Sequence, residues 1–353
     1  MYQMFSNEEL ENLRSRLISY RDAGDLPSEE DLIALADRTV SSLEAQDKKY
    51  RPYSAEKKPG GLLDFSKEEI PVILVPDIHA RPEFLISLLA SDVLQKLGIY
   101  TEKEFDGDVL DALNKDLVML VCVGDVWHTE NTSWAYNRWR TSYEKWMNGD
   151  SVSPEMCDEM KENFAAVMGV MELKNAFPRN FHFLKGNHEN IMNSEGHGDH
   201  GFLKFAMEGE MVRDFVYEKY GDVTLHMLSC FEKALPIVAV FPDFCVSHAE
   251  PLKAYKRNDI INYHDHGDLI LSFTWTANDE AQKDSVEKQF KELNPKGGKK
   301  EALWFGGHRP VPEKFLLRQD GHFVQFHNPE EMNVALLSPG REFKCERDIV
   351  SII

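Results

Sequence analysis

Five short apolar runs in this chain each stop at a turn carrying Asp, His or Asn, and no other feature constrains the fold as strongly. A brief apolar run bounded by turn residues reads as a buried strand. In open α/β sheets, ligands bind outside the carboxyl ends of such strands. The clearest case is Phe181-His182-Phe183 followed by Leu184-Lys185-Gly186-Asn187-His188-Glu189, where an amide, an imidazole and a carboxylate follow a glycine turn. Alone, a turn of that composition is ordinarily just a turn. Four similar blocks give it weight. Residues 72–75 run into Pro76-Asp77-Ile78-His79-Ala80-Arg81-Pro82, and residues 117–123 into Gly124-Asp125-Val126-Trp127-His128-Thr129. Residues 244–247 end at His248-Ala249-Glu250-Pro251, and Ala302-Leu303-Trp304-Phe305 ends at Gly306-Gly307-His308-Arg309-Pro310. From Asp77 through Asp125, Asn187 and His248 to His308, the steps are 48, 62, 61 and 60 residues.

Between these runs the pattern is helical. Phe84, Leu85, Leu88 and Leu89 have helical spacing after the first block. Residues 133–176 read as two helices broken near Asn148-Gly149-Asp150, with Trp134, Trp139, Tyr143 and Trp146 as packing residues. Residues 202–220 read as helix, and Gly196-His197-Gly198-Asp199-His200-Gly201 as a surface loop. Residues 237–241 and 244–247 form a hairpin-like pair, residues 254–300 are charged and mixed, and 323–326 and 334–337 close the fold as strands.

The first 66 residues read differently. Ser6-Asn7-Glu8-Glu9 is a capping box that opens a helix to about residue 20, with Leu10, Leu13 and Leu17 on one face. Ser28-Glu29-Glu30-Asp31 opens a second helix, with Leu32, Leu35 and Val40 inward, and residues 48–61 read as a linker. The expected organisation is a helical appendage and linker over 1–66 and a catalytic domain over 67–353.

Sixty Asp and Glu stand against 40 Lys and Arg, a formal charge of -20, which argues against nucleic acid and anionic membranes as partners. An anionic substrate stays open if bound cations reverse the local field. The five cysteines lack CxxC spacing, as expected of reduced thiols in a cytoplasmic protein. No apolar stretch approaches membrane-spanning length, and the amino-terminal residues lack a signal-peptide core.

Side chains at i and i+2 of an extended loop, such as Asp77 and His79, can face one ion. Mixed carboxylate, imidazole and amide ligation suits manganese, iron or zinc rather than calcium. A carboxylate such as Asp125 can bridge two ions, which clamps the attacking and leaving oxygens of a displacement at phosphorus.

Asp-x-His, Gly-Asp, Gly-Asn-His-Glu, His and Gly-His in this order resemble the calcineurin-like metallophosphoesterases, and more narrowly their phosphoprotein phosphatase branch, over about residues 70–340. The resemblance implies an α/β fold, a metallophosphoesterase-type β-sandwich flanked by helices, here with the N-terminal helical appendage. It implies two divalent metal ions, manganese first with iron or zinc as alternatives, that activate water to hydrolyse phosphate esters. It assigns Asp77 and His79 to the first metal, Asp125 to both, and Asn187, His248 and His308 to the second. His188 would protonate the leaving oxygen.

This chain departs from the pattern. The first block has Pro76 where the family usually has Gly, and Ala80 after His79. In Gly-Asp-x-x-Asp-Arg-Gly, His128 stands at the second Asp and Thr129 at the Arg, so the acid that orients the catalytic imidazole and the guanidinium that grips phosphate are both missing. Alternation along the loop turns Arg81 toward the metals as a replacement clamp, with Arg309 as its competitor. His188, Arg81 and His128 are thus the catalytic candidates, and Arg81, Arg309 and Asn187 the substrate contacts. The expected partner is a phosphorylated protein or a small phosphate ester. A nucleotide or dinucleoside polyphosphate hydrolase, and a non-catalytic metal-binding regulator, are the alternatives.

Overall fold

The computed structural model describes residues 4–130, 135–196, 199–294 and 303–352. The strands are β1 Leu62–Asp64, β2 Val72–Val75, β3 Met119–Cys122, β4 Phe181–Phe183, β5 Val238–Val240, β6 Phe244–Ser247, β7 Leu303–Gly306, β8 Leu316–Arg318, β9 Phe323–Gln325, β10 Asn333–Leu337 and β11 Ile349–Ser351. They form two sheets, ordered β11-β10-β2-β3-β4 and β1-β5-β6-β7-β9-β8. In the first, β2, β3 and β4 run parallel. In the second, β6, β7 and β9 run parallel. Parallel neighbours end at the same edge, so each sheet brings three strand ends together.

The sheets pack face to face. Val72 and Leu74 of β2, with Met119 and Val121 of β3, meet Val246, Phe305 and Val324 of the other sheet. The alternate residues Ile73, Val75, Leu120 and Cys122 join the helical cluster on the outer face. This period of two, buried on both faces, is why these strands read as unbroken apolar runs. Val238, Val240, Cys245 and Trp304 turn to the opposite outer face, against Leu269, Phe273, Val286 and Phe290. The layers are therefore helix, sheet, sheet, helix.

The first helix, Asn7–Arg21, starts at the expected capping box: the Glu9 amide donates to Ser6 Oγ at 3.3 Å and the Ser6 amide to Glu9 Oε2 at 2.7 Å. Its Leu10, Leu13 and Leu17 belong to the same apolar cluster as the outer face of β2 and β3. So do Leu32, Leu35, Ala36 and Leu43 of the second helix, Glu29–Glu44. Arg16 and Tyr20 also meet Glu172 on the long helix Pro154–Ala176, at 2.9 and 3.0 Å. Within the same first 66 residues, β1 pairs in parallel with β5.

The break near 148–150 separates helices Ala135–Met147 and Pro154–Ala176, with Ser153 as N-cap. Trp139 is fully buried there, while Trp134 lies outside the described residues. The segment expected to be helical over 202–220 differs. The helix is Glu208–Lys233, with a break at Gly221 (φ 86°). Residues 202–207 cannot join it because Glu208 folds back and its carboxylate accepts the amides of Lys204, Phe205 and Ala206 at 2.8, 2.6 and 2.6 Å. Among the described residues no helix is long and apolar enough to cross a membrane.

Candidate metal centre

The first two ligand loops are built as one unit. The amides of Ile78 and His79 donate to the Asp125 carbonyl at 3.1 and 2.8 Å, and that of Ala80 to Val126 at 2.8 Å. This pairing holds His79, Ala80 and Asp125 in the left-handed region, at φ 45°, 52° and 56°. Non-glycine residues there cost about 1–3 kcal/mol each and gather at functional sites. Glu189 locks the third loop to the second: its carboxylate accepts the amides of Asp125, Val126 and Gly186 at 2.9, 2.7 and 2.6 Å. Burial, with the charge of Asp125, pushes its carboxyl up to about 7.

Glycines let these loops approach. A Cβ on Gly307 would sit 1.8 Å from Asp77 Oδ1, and one on Gly186 would sit 2.2 Å from Asp125 Oδ1. The amide of His308 donates to both Asp77 oxygens, at 3.2 and 3.0 Å.

The strand ends then converge. His79 Nε2 lies 3.7 Å from Asp77 Oδ2 and 3.6 Å from Asp125 Oδ2. Its Nδ1 faces the carbonyls of Trp127 and His128 at 3.3 and 3.0 Å, which fixes the ring with Nε2 inward. A carbonyl behind the second nitrogen is the usual support of a metal-bound imidazole. Asp125 Oδ2 is 3.3 Å from His248 Nε2, and Asn187 Oδ1 is 2.9 Å from both His248 Nε2 and His308 Nδ1. The six residues expected as ligands, Asp77, His79, Asp125, Asn187, His248 and His308, thus occupy one locus. Three compact donor groups stand out there: Asp77-His79-His327, Asp77-Asp125-His248 and, at the edge of the locus, His79-His128-His188.

His327 was missed in the sequence. Its Nε2 lies 3.9 Å from Asp77 Oδ2, and its ring is 5.5 Å from that of His79. It follows β9 as the other blocks follow their strands, in Phe326-His327-Asn328. The same apolar-run-then-polar signal is present one residue beyond the strand expected over 323–326. Glu130 is a second addition, with Oε2 2.5 Å from His327 Nε2 and 3.3 Å from His79 Nε2.

Burial would raise the Asp125 carboxyl, but the imidazoles of His248, His188 and His79 outweigh it and hold it well below the usual range. Burial lowers His79 well below its ordinary value, and holds His308 near 3 and His327 near 4. Burial thus favours the neutral ring, the state a metal ligand needs. His248 differs: burial disfavours its charge, yet Asp125 and Asp77 raise it to about 9. Three buried carboxylates facing four imidazoles, with His308 Nε2, His248 Nδ1 and His327 Nδ1 unpartnered, fit divalent ions in chemistry and number of donors.

The remaining site candidates separate. His188 stands beside the cluster, with Nδ1 3.1 Å from the Trp127 carbonyl and Nε2 3.8 Å from Asp125 Oδ2. His128 is buried among Trp139, Phe202, Phe205 and His188, and its Nε2 lies 3.7 Å from Glu208 Oε1. Neither of its ring nitrogens has a hydrogen-bond partner, so it does not orient His188 as the expected acid would. Arg309 is exposed next to His308.

Arg81 is not brought to the cluster, and the expectation that it clamps phosphate is corrected here. Its Nε donates to Ile78 at 3.0 Å, one terminal nitrogen to Asp77 at 2.8 Å, and the other to Asn328, Pro329 and Glu331 at 3.4, 3.1 and 3.3 Å, all backbone carbonyls. The loop leaves the extended state at His79 and Ala80, so alternation no longer holds beyond His79. Arg81 ties the first ligand loop to the loop after His327. Arg81→Ala should accordingly lower stability by about 2–3 kcal/mol, the scale for hydrogen bonds to a charged group. A denaturant melt reads this; an unchanged melt with a large fall in kcat/KM would restore the clamp.

This is the metallophosphoesterase fold. A solved protein serine/threonine phosphatase from Saccharomyces cerevisiae, with similarity to human phosphatase PP5, superposes over 98% of this chain and 95% of its own, with a TM-score of 0.57 and 14% identity. A cold-active protein-tyrosine phosphatase of a psychrophilic Shewanella species matches over 82% of each chain, with a TM-score of 0.37 and 11% identity. No protein-family model matches the sequence, and no curated protein matches it.

Proposed function

We propose that the protein is a two-metal phosphoesterase that hydrolyses phosphate monoesters. The observation that carries this reading is the convergence of Asp77, His79, Asp125, Asn187, His248, His308 and His327, seven side chains from six strand ends. Asp77, His79 and His327 would hold one ion, Asn187, His248 and His308 the other, and Asp125 would serve both. Divalent ions bound there supply Lewis acidity toward a phosphoryl oxygen and an acidified water. Manganese is the leading candidate, with iron or zinc as alternatives.

The chain's own residues have distinct tasks. His188 lies beside the ligands with its Nδ1–H on a backbone carbonyl, so Nε2 would protonate the leaving oxygen from the imidazolium form, which carries a proton on both nitrogens. Phe202 stacks on His188 at 4.5 Å and shields that face from water. Arg309, exposed at the mouth beside His308, is a substrate contact for the outer phosphate oxygens or the leaving group. Among substrates, a phosphoprotein or a small phosphorylated molecule fits the reading.

Elemental analysis after mild purification should find close to two transition-metal ions per chain, counted against Asp125→Asn with fewer. Phosphatase assays across phosphopeptides, sugar phosphates and nucleotides, with and without chelator, test the activity. Full turnover in excess chelator overturns the reading.

A further inference from the structure

We propose that Lys204, carried on the segment Phe202-Leu203-Lys204-Phe205, grips the phosphoryl oxygens of the substrate in place of the missing guanidinium. The assignment rests on the phosphoesterase reading above and adds the group that binds the phosphate monoester dianion. With Thr129 uncharged and Arg81 committed to backbone carbonyls, Arg309 beside His308 is left to meet the phosphate from one side, and Lys204 supplies a second cation.

Lys204 enters from outside the strand-end loops. Its Nζ is ion-paired with Glu130 Oε1, while the other oxygen of that carboxylate lies 2.5 Å from His327 Nε2 and 3.3 Å from His79 Nε2. One carboxylate therefore separates the ammonium from the first donor group. An ammonium has three N–H donors, and Glu130 engages one side of it. The Lys204 side chain stays 30% exposed, so an incoming dianion can reach it, whereas that of Glu130 is only 3% exposed. Burial lowers the Lys204 ammonium below its ordinary value, with Arg309 acting in the same sense and Asp77, Asp125 and Glu208 opposing it.

The segment is held in place by His188 and by His128, one of the residues that depart from the expected pattern. Phe202 stacks on His188, with ring centroids 4.5 Å apart and planes 17° apart. Phe205 packs on His128 at 5.6 Å and edge-on to Tyr136 at 5.6 Å. Glu208 binds the amides of residues 204–206 and faces His128 Nε2 at 3.7 Å. A carboxylate at position 128 would face Glu208 with like charge in a buried space, and would not offer Phe205 an imidazole face. His128 is thus a positioning residue for the lysine segment, and the two departures, His128 and Thr129, are linked to a cation brought in 75 residues further along the chain.

The test uses the manganese-loaded full chain and inorganic phosphate as the probe. Lys204→Met keeps the aliphatic stem and removes the charge. Calorimetric titration should show phosphate binding weakened by roughly 10–100-fold, with bound manganese unchanged and most of the loss recovered in Lys204→Arg. Lys204→Gln, which can still donate to Glu130, repeats the comparison if the methionine leaves that carboxylate too destabilising for folding. A Lys204→Met or Lys204→Gln protein that keeps its manganese and binds phosphate as tightly as the parent overturns the assignment and leaves the phosphoesterase reading standing. A parent chain that takes up neither manganese nor phosphate overturns both.

Discussion

Replacing His188 by alanine should leave the metal ligands intact and lower turnover on alkyl phosphates by roughly 10²–10⁴. Its nitrogens set this expectation. Nδ1 lies 3.1 Å from the Trp127 carbonyl, which can only accept, so that nitrogen carries its proton whenever the bond is made. Nε2 lies 3.8 Å from Asp125 Oδ2, close to the reacting centre, while the amide of the same residue donates to Asp125 Oδ1 at 2.9 Å. The ring is wedged between His79 at 4.8 Å and Phe202 at 4.5 Å, and cannot swing into the ligand set without breaking that packing. A group that protonates the leaving oxygen matters most when that oxygen is a poor leaving group. The loss on nitrophenyl phosphate should therefore be much smaller than on an alkyl phosphate. Equal losses on the two substrates would count against the role, and loss of bound metal would make His188 a ligand instead.

Gly307→Ala should be the most damaging single-methyl change in the molecule. The added Cβ would lie 1.8 Å from Asp77 Oδ1 and 2.8 Å from its Cγ, far inside contact distance. Asp77 cannot yield freely, because it is fully buried and accepts the His308 amide on both oxygens. It also belongs to two of the three compact donor groups. Displacing it should weaken metal binding by roughly 10–100-fold, the range for disturbing a ligand's support, and cost about 1–3 kcal/mol of stability as overpacking does. Metal content after gel filtration and a urea melt read the two effects separately. Gly24→Ala serves as the control, since nothing lies within 4 Å of that Cβ. A Gly307→Ala chain with a full metal complement would show that the loop moves more easily than its hydrogen bonds suggest.

The resemblance to the metallophosphoesterases was readable because its signal is local. Each candidate ligand follows a strand that is buried apart from Leu303 of β7, and burial on both faces makes such a strand an unbroken apolar run, so Asp77, Asp125, Asn187, His248 and His308 could be found one block at a time. His327 carries the same local signal after β9 and was legible in principle. Helix starts were equally local, as the Ser6 and Ser28 caps illustrate.

Sequence by itself therefore determined the strand-end ligands and the order in which the chain presents them. Tertiary structure decided the rest. Arg81 was expected to face the metals from spacing alone, but left-handed residues at 79 and 80 break the alternation, and three of the five carbonyls that capture its guanidinium come from residues 328–331. Lys204 and Glu130 meet across 74 positions, and Glu130 and His327 across 197. No periodicity in a sequence encodes such a meeting, because it depends on how two sheets and a folded-back helix start are packed together. Short-range geometry is written in neighbouring residues, whereas the charge balance of a buried site is a sum over segments that only folding brings within a few ångströms.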